Sequence, residues 1–534
     1  MNRFKRPLAL AIGLLSLGGC QSLEQADPKD EVALDLGQSS ALLIDEAKCR
    51  VDKEAQQAFE VTDRGNLWPR LRAGYGLPDV DHPRIDTYVN WYANNPHYME
   101  RVVARGQRYL YHIASELEKE GLPMELALLP IVESAFDPFA YSHGRASGIW
   151  QFVPATGRHF GLKQNWWYDG RRDVVAATDA ALTYLEQLHD MFDGDWLLAL
   201  ASYNTGQGNV GRSIRRNARQ GKPTDFWSLD LPRETRAYVP QLLALAKVIR
   251  DPEAYNLSLA PIPDEPYFAQ VNVASQIDLA QAAELAGIEL DELYMLNAGY
   301  NRWATDPDGP HRLLIPVEYE QPFKEKLAEI PEDERVGWQR YSVKPGDSLN
   351  KIARAYRTSV ENIKSANELN GNIIRVGQAL MIPTAKHSPS RYAFSADQRR
   401  QRVQNRSSGA EGSSKVQYKV RPGDSFWSIA KRHDITVGAL TNWNAMAPGD
   451  TLMPGQNLVI WTEADDAGQQ QTASRESRSM VRKVNYRVRQ GDSLARIATR
   501  FNLSVQDITR WNTVSENNYI HPGQSLTLFV DITR

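Results

Sequence analysis

One carboxylic acid in this chain sits where a proton could be both given and taken back. Glu133 follows Leu126-Ala127-Leu128-Leu129-Pro130-Ile131-Val132, a run that is apolar on nearly every face of a helix. Burying an isolated carboxylate disfavours its charged form and raises its pKa, which is what a general acid needs at neutral pH. Three polar clusters follow. Ser142-His143-Gly144-Arg145-Ala146-Ser147-Gly148-Ile149-Trp150-Gln151 has glycines for a tight backbone path, and Gln151 offers both a donor and an acceptor to a polar ligand. Ser202-Tyr203-Asn204 and Glu234-Thr235-Arg236-Ala237-Tyr238 add further aromatic and polar side chains. Glu133 is the one acid here that follows an apolar run. Asp137 is followed by Pro138 and reads as a turn or cap residue. One acid suffices if the substrate brings its own nucleophile.

The elements that must position these residues are helical. From Pro83 to about Arg250, apolar residues recur at three- and four-residue spacing, with breakers such as Gly121-Leu122-Pro123 between runs. One helix is bracketed by Asp173 as its cap and Gly194 as its stop, with Val174, Leu182, Leu185 and Leu188 on its apolar side. Residues 80–255 are therefore predicted to form a mostly α-helical catalytic domain, reached through a polar tether over residues 20–79.

A different architecture follows. Tyr341-Ser342-Val343-Lys344-Pro345-Gly346-Asp347-Ser348 returns as Tyr418-Lys419-Val420-Arg421-Pro422-Gly423-Asp424-Ser425, and again as Tyr486-Arg487-Val488-Arg489-Gln490-Gly491-Asp492-Ser493. Each copy reaches a Gly-Gln pair (Gly377, Gly455, Gly523) after 31, 32 and 32 residues, which marks a true internal repeat. Tyr-x-Val alternates as a strand and the glycine permits a sharp turn. The Asp or Ser after it can cap a helix. A second helix ends near Asn367, Asn444 or Asn512, and the Gly-Gln turn opens a last strand. Three small βααβ units are predicted over 340–384, 417–462 and 485–530, which makes the fold class multidomain α+β. Residues 385–416 and 463–484 read as flexible linkers, with Arg399-Arg400-Gln401-Arg402 as a solvated charge run. A fourth, degenerate unit over 265–318 repeats the order of apolar residues and Asn297, lacks the opening Gly-Asp-Ser, and is assigned a structural or spacer duty.

The amino terminus carries Arg3, Lys5 and Arg6 before the apolar stretch Leu8–Leu17. Ten residues are too few to span a bilayer of about 30 Å, so this is a secretory signal over residues 1–19. It ends Leu17-Gly18-Gly19-Cys20, which resembles a bacterial lipobox and implies lipidation at Cys20. Gln21 follows, in place of the Asp of an inner-membrane retention signal, so the expected location is the outer membrane, lipid-anchored and facing the periplasm. Cys49 alone cannot close an intramolecular disulfide. With 62 basic and 65 acidic residues, the chain carries no electrostatic footprint for nucleic acid.

The order Glu133-Ser134, Ser142, Gln151, Tyr203-Asn204, Tyr238 resembles the lytic transglycosylases with a goose-type-lysozyme-like fold, most closely their membrane-bound murein transglycosylase D type. The resemblance implies that Glu133 is the catalytic acid/base and that Ser142, Gln151, Tyr203, Asn204 and Tyr238 contact substrate, with no cofactor and no metal. Two departures touch subsite shape: Gly148-Ile149-Trp150-Gln151 stands for Gly-Leu-Met-Gln, and Ser202 for the Ala before Tyr-Asn. The three repeats resemble LysM domains, which implies binding of N-acetylglucosamine-containing glycan beside Gly346, Asp347 and Ser348, beside Gly423, Asp424 and Ser425, and beside Gly491, Asp492 and Ser493. The implied reaction cleaves peptidoglycan between N-acetylmuramic acid and N-acetylglucosamine, closing the C6 hydroxyl onto C1 without water. A hydrolytic goose-type lysozyme and a catalytically silent wall-binding scaffold are the other readings that the residues leave open, and no protein partner is named by the sequence.

Overall fold

The computed structural model describes residues 65–531 apart from 143, 411, 422, 451, 453–455, 464–480, 489–491, 495–496, 499–502, 504, 513–519 and 522. The signal peptide, Cys20, Cys49 and Gly491 thus lie outside the described residues. The described residues form two compact units, one of those up to 410 with 415–462, the other of 412–414 with those from 463 onward.

In the first unit, residues 65–79 are not tether. The Leu67–Ala73 helix buries Leu67, Trp68 and Leu71, and the Leu67 amide donates to the Ile262 carbonyl at 2.8 Å. A polar lead-in hid this short amphipathic helix, which belongs to the catalytic core. Around it pack helices Pro83–Ala93, Pro96–Gly106, Leu110–Glu120, Leu129–Ser134, Pro154–His159, Val174–Met191, Trp196–Thr205, Gln207–Arg219 and Arg233–Arg250. The helix expected after Asp173 has its cap, since the Asp173 carboxylate accepts from the Val175 and Ala176 amides. Residues Leu197 to Ser202 are all buried, so Trp196–Thr205 runs through the middle of the domain, as a helix apolar on every side must.

The rest of the described chain carries four two-stranded antiparallel ladders: β1 (Phe268–Asn272) with β2 (Arg312–Pro316), β3 (Gly337–Ser342) with β4 (Ala379–Thr384), β5 (Ser413–Lys419) with β6 (Asn457–Glu463), and β7 (Val481–Arg487) with β8 (Ser525–Asp531). One asparagine clasps each. The Asn367 amide donates to the Ile363 and Met381 carbonyls, both at 2.7 Å, and accepts from the Met381 amide. Asn444 repeats this with Leu440 and Val459, and Asn512 with Ile508 and Thr527. Asn297 makes the same three bonds to Leu293 and Leu314 between β1 and β2. A side chain that ties the second helix to the last strand is therefore common to all four units. In the second unit, β7 and β8 enclose a small core with Val488, Ile497, Ile508 and Leu528.

The β1–β2 unit is welded to the helical domain. Arg108 forms a buried two-pronged pair with Glu292 at 2.8–3.1 Å, Arg312 pairs with Asp173 at 2.7 Å, and Arg172 Nε donates to the Ala298 carbonyl at 2.9 Å. The flexible linker expected over residues 385–416 is corrected by the structure for its described part. Tyr392 and Phe394 are buried in the β1–β2 core, and Ala396–Arg406 is a helix. Asp278 explains the docking: fully buried, it caps the Leu279–Ala286 helix and also accepts from the Lys386 amide at 2.9 Å and the Tyr392 hydroxyl at 2.7 Å. Nor is the basic cluster a solvated run. Arg399 lies 4.4 Å from the Phe139 ring centre and Arg402 lies 5.0 Å from that of Phe394. Flat guanidinium groups stack on aromatic faces, which lets a charged helix serve as a packed strap.

Candidate active site

The apolar run before Glu133 is two elements, not one helix. A 3-10 turn spans Met124–Leu128 and an α-helix spans Leu129–Ser134. Pro130 has no N–H to continue a ladder and constrains the residue before it, so the break falls there. Just after Glu133 the chain reverses through Ala135 and Phe136, both at positive φ (49° and 56°). Non-glycine residues pay for this conformation, and packing imposes it. Phe136 is fully buried against Gly106, where a Cβ would come within 2.9 Å of the ring. Ser134 Oγ donates to the Pro130 and Ile149 carbonyls, both at 3.0 Å, which ties the Glu133 helix to the loop that carries Gln151.

Tyr238, on the Arg233–Arg250 helix, donates its hydroxyl proton to Glu133 Oε1 at 2.6 Å. Burial pushes the Glu133 carboxyl up to about 8, the Tyr238 hydrogen bond pulls it back, and the charge of Glu234 adds to the rise. The side chain nevertheless keeps partial solvent access, as a group that must meet a substrate requires. Burial, then the nearby Glu133, hold the Tyr203 and Tyr238 hydroxyls far above the usual tyrosine range, so both stay donors.

The other expected site residues fall around this pair, with differing duties. Tyr203 donates to the Trp150 carbonyl at 2.9 Å. Asn204 accepts from Thr235 Oγ1 at 2.7 Å and donates to Glu234 at 3.4 Å. Gln151 donates to the Gly148 carbonyl at 2.8 Å, and Ser142 Oγ accepts from the Ala146 amide at 3.0 Å. Trp150, the departure noted above, is fully buried with its indole N–H on Thr178 Oγ1 at 3.0 Å, so it fills core. Asp137 accepts from the Phe139 amide at 2.9 Å, which is the turn role read for it.

Two features escaped the sequence. Gly148 has φ 82°, and a Cβ there would lie 2.0 Å from the Arg171 carbonyl oxygen. Arg171 pairs with Asp169 at 2.7 Å and donates to the Arg145 and Phe152 carbonyls at 2.5 and 3.0 Å, so a buried ion pair holds the Gln151 loop. The charge run Asp169-Gly170-Arg171-Arg172-Asp173 was its only trace. The second is the effect of Glu234, quoted above only within a polar cluster: an exposed carboxylate that acts on Glu133 through space.

In the repeats, the acidic turn residues are engaged internally. Asp347 accepts from the Tyr341 hydroxyl at 2.5 Å and the Lys344 amide at 2.9 Å, and that tyrosine bond leads in holding its pKa near 2. Asp424 does the same with Tyr418 and Arg421, and Asp492 accepts from Tyr486 at 2.6 Å. Ser348 and Ser425 cap the helices that follow, while Gly346 and Gly423 take φ of 79° and 85°. These residues shape the turn; in the first two repeats the Asp side chains are only 4–5% exposed.

Residues 111–226, which include Glu133, Ser142, Gln151, Tyr203 and Asn204, match the transglycosylase SLT domain. Residues 267–332 match the LysM-like domain of lytic transglycosylase MltD, and 341–383, 418–461 and 486–529 match the LysM domain. That combination defines a lytic transglycosylase with LysM modules. The membrane-bound lytic murein transglycosylase D of Escherichia coli (strain K12) is 35% identical over 467 residues, covering 85% of this chain and 98% of that one, and the chain belongs to this family. An autolysin of Enterococcus faecalis is 30% identical over 35% of this chain and 24% of its own. The X-ray structure of an inactive mutant of the lytic transglycosylase Slt from Pseudomonas aeruginosa is 28% identical over 28% of this chain and 25% of that one, with a TM-score of 0.21.

Proposed function

We propose that the chain cleaves the N-acetylmuramic acid–N-acetylglucosamine bond of peptidoglycan, with Glu133 as sole acid and base. Protonated Glu133 gives its proton to the glycosidic oxygen as the C1–O bond breaks. The muramoyl acetamido oxygen stabilises the positive charge that develops at C1. Glu133, now a carboxylate still bonded to Tyr238, takes the proton of the C6 hydroxyl, and O6 closes onto C1 to give a 1,6-anhydro end. No water is consumed. The single observation that carries this reading is the Tyr238–Glu133 hydrogen bond at 2.6 Å beside a carboxyl held near 8. Such a group is protonated at neutral pH, yet has a partner for its charged form. Gln151, Ser142 and Asn204 orient the sugars, Tyr203 fixes the loop, and the three LysM repeats hold the glycan beside their Gly-Asp-Ser turns.

Lipidation at Cys20 would anchor the chain to the outer membrane on its periplasmic side; among the described residues no helix is long and apolar enough to cross a membrane. Mass spectrometry of the ends released from purified sacculi tests the reaction. Anhydro ends, one water lighter than reducing ends, are expected from the wild type and none from Glu133→Gln, which should still co-sediment with sacculi. Reducing ends would assign a hydrolytic lysozyme, and wild type without any release a binding scaffold.

A further inference from the structure

We propose that the second LysM repeat is docked on the turn that carries Ser142 so that one glycan strand engages both the repeat and the catalytic site, with Asp450 as the positioning residue. This rests on the reaction proposed above. Asp450 lies in the segment between the second helix of the repeat and β6. Its Oδ1 accepts from the Tyr141 hydroxyl at 2.7 Å and pairs with Arg145 Nε at 2.9 Å, while its Oδ2 accepts from the Ala447 amide at 2.9 Å. The neighbouring Gly449 allows the approach, because a Cβ there would come within 3.1 Å of Arg145 Cδ. Tyr141 and Arg145 flank Ser142 in the turn that leads to Gln151, and the Arg145 carbonyl is itself held by Arg171.

A second attachment makes this contact part of the architecture. The strap stacks Phe394 on Phe139 at 5.3 Å, two residues before Tyr141 on the segment that leaves Glu133. Its far end holds the repeat through Gln404 on Asn444 at 2.8 Å, with Ser407 and Ser408 accepting from the Trp461 and Trp443 indoles at 3.1 and 3.0 Å. At the position matching Asp450, six residues beyond its clasp asparagine, the first repeat has Ile373, 88% exposed, and it meets the helical domain elsewhere, where Ser359 Oγ accepts from the Trp167 indole at 3.2 Å. Within the second repeat, the Val420 amide donates to the Gln456 carbonyl at 2.8 Å, so the segment carrying Asp450 and the turn Gly423-Asp424-Ser425 lie at the same end of the β5–β6 ladder. Glycan held beside that turn therefore lies at the end of the repeat that touches Tyr141 and Arg145. Two sites within one compact unit gain from effective concentration only when a single strand reaches both.

The test compares wild type, Asp450→Ala and Asp450→Asn on long, peptide-free glycan strands and on a tetrasaccharide. Asp450→Ala is expected to lose about ten-fold in turnover of long strands while tetrasaccharide turnover and sacculus binding stay within about two-fold. Asp450→Asn, which keeps an acceptor for Tyr141, should fall between. Equal losses on both substrates would overturn the proposal, since Asp450 would then only support the Ser142 turn. Unchanged or faster cleavage of long strands would overturn it too, the latter because the repeat would be an obstruction. Absence of anhydro ends from the wild type would instead refute the reaction itself.

Discussion

Proton transfer at Glu133 is obtained against the stability of the fold. Its folded-state pKa of about 8 lies above the ordinary 4.5, so between those values the folded chain binds the proton more tightly than the unfolded chain. Stability must therefore fall as pH rises through that interval. Glu133→Gln removes the penalty: it should abolish turnover yet raise stability at pH 8 by about 1–3 kcal/mol, discounted for partial solvent access, with no difference at pH 4. Denaturant unfolding at both pH values checks this. Wild-type cleavage should decline above about pH 8 as the acid is lost. Tyr238→Phe deletes the bond that favours the carboxylate, so the alkaline limb of the rate profile should move to higher pH and turnover should drop by about ten- to a hundred-fold. At this scale the sequence was informative: an acid after seven apolar residues announces its own desolvation. Glu234 was not recognised, because its effect on Glu133 depends on two helices meeting.

At the scale of elements, the loop from Ala140 to Gln151 and the asparagine clasps decide whether side chains stand in place. Gly148→Ala combines a forbidden φ with a Cβ at 2.0 Å from a carbonyl that is itself fixed by a buried ion pair. We expect a loss of about 3 kcal/mol or more and a fall in turnover on every substrate, read by thermal melting and end-group release. Asn444→Ala leaves the Leu440 and Val459 backbone groups without their partner, at about 2–3 kcal/mol. Amide exchange should then quicken in β6 while the helical domain keeps its protection. The recurrence of Asn297, Asn367, Asn444 and Asn512 was visible in the sequence, but its meaning was not. A side-chain amide tying a helix to a strand 14–17 residues away has no signature in local periodicity.

For the molecule as a whole, the strap changes where the chain can be cut. Removing residues 341–534 would take Tyr392 and Phe394 out of the β1–β2 core and leave Asp278 buried without two of its donors. A chain ending at 340 should melt well below one ending at 410, by on the order of several kcal/mol, because a large aromatic removed from a core costs about 3–5 kcal/mol. Calorimetry of the two chains tests this. Both should lose sacculus binding relative to the full chain, which carries all three repeats.

The sequence by itself determined the units and their chemistry: a helical domain with one sequestered acid, and a three-fold repeat too regular to arise by chance. Those properties are local, written in apolar spacing, turn residues and the order of a few polar side chains. Tertiary structure alone decided how the units join. A stretch rich in arginine and serine reads as a linker until aromatic faces, buried carboxylates and a glycine-sized gap from distant parts of the chain are brought against it. Those partners are close in space and remote in sequence, so no spacing along the chain could reveal them.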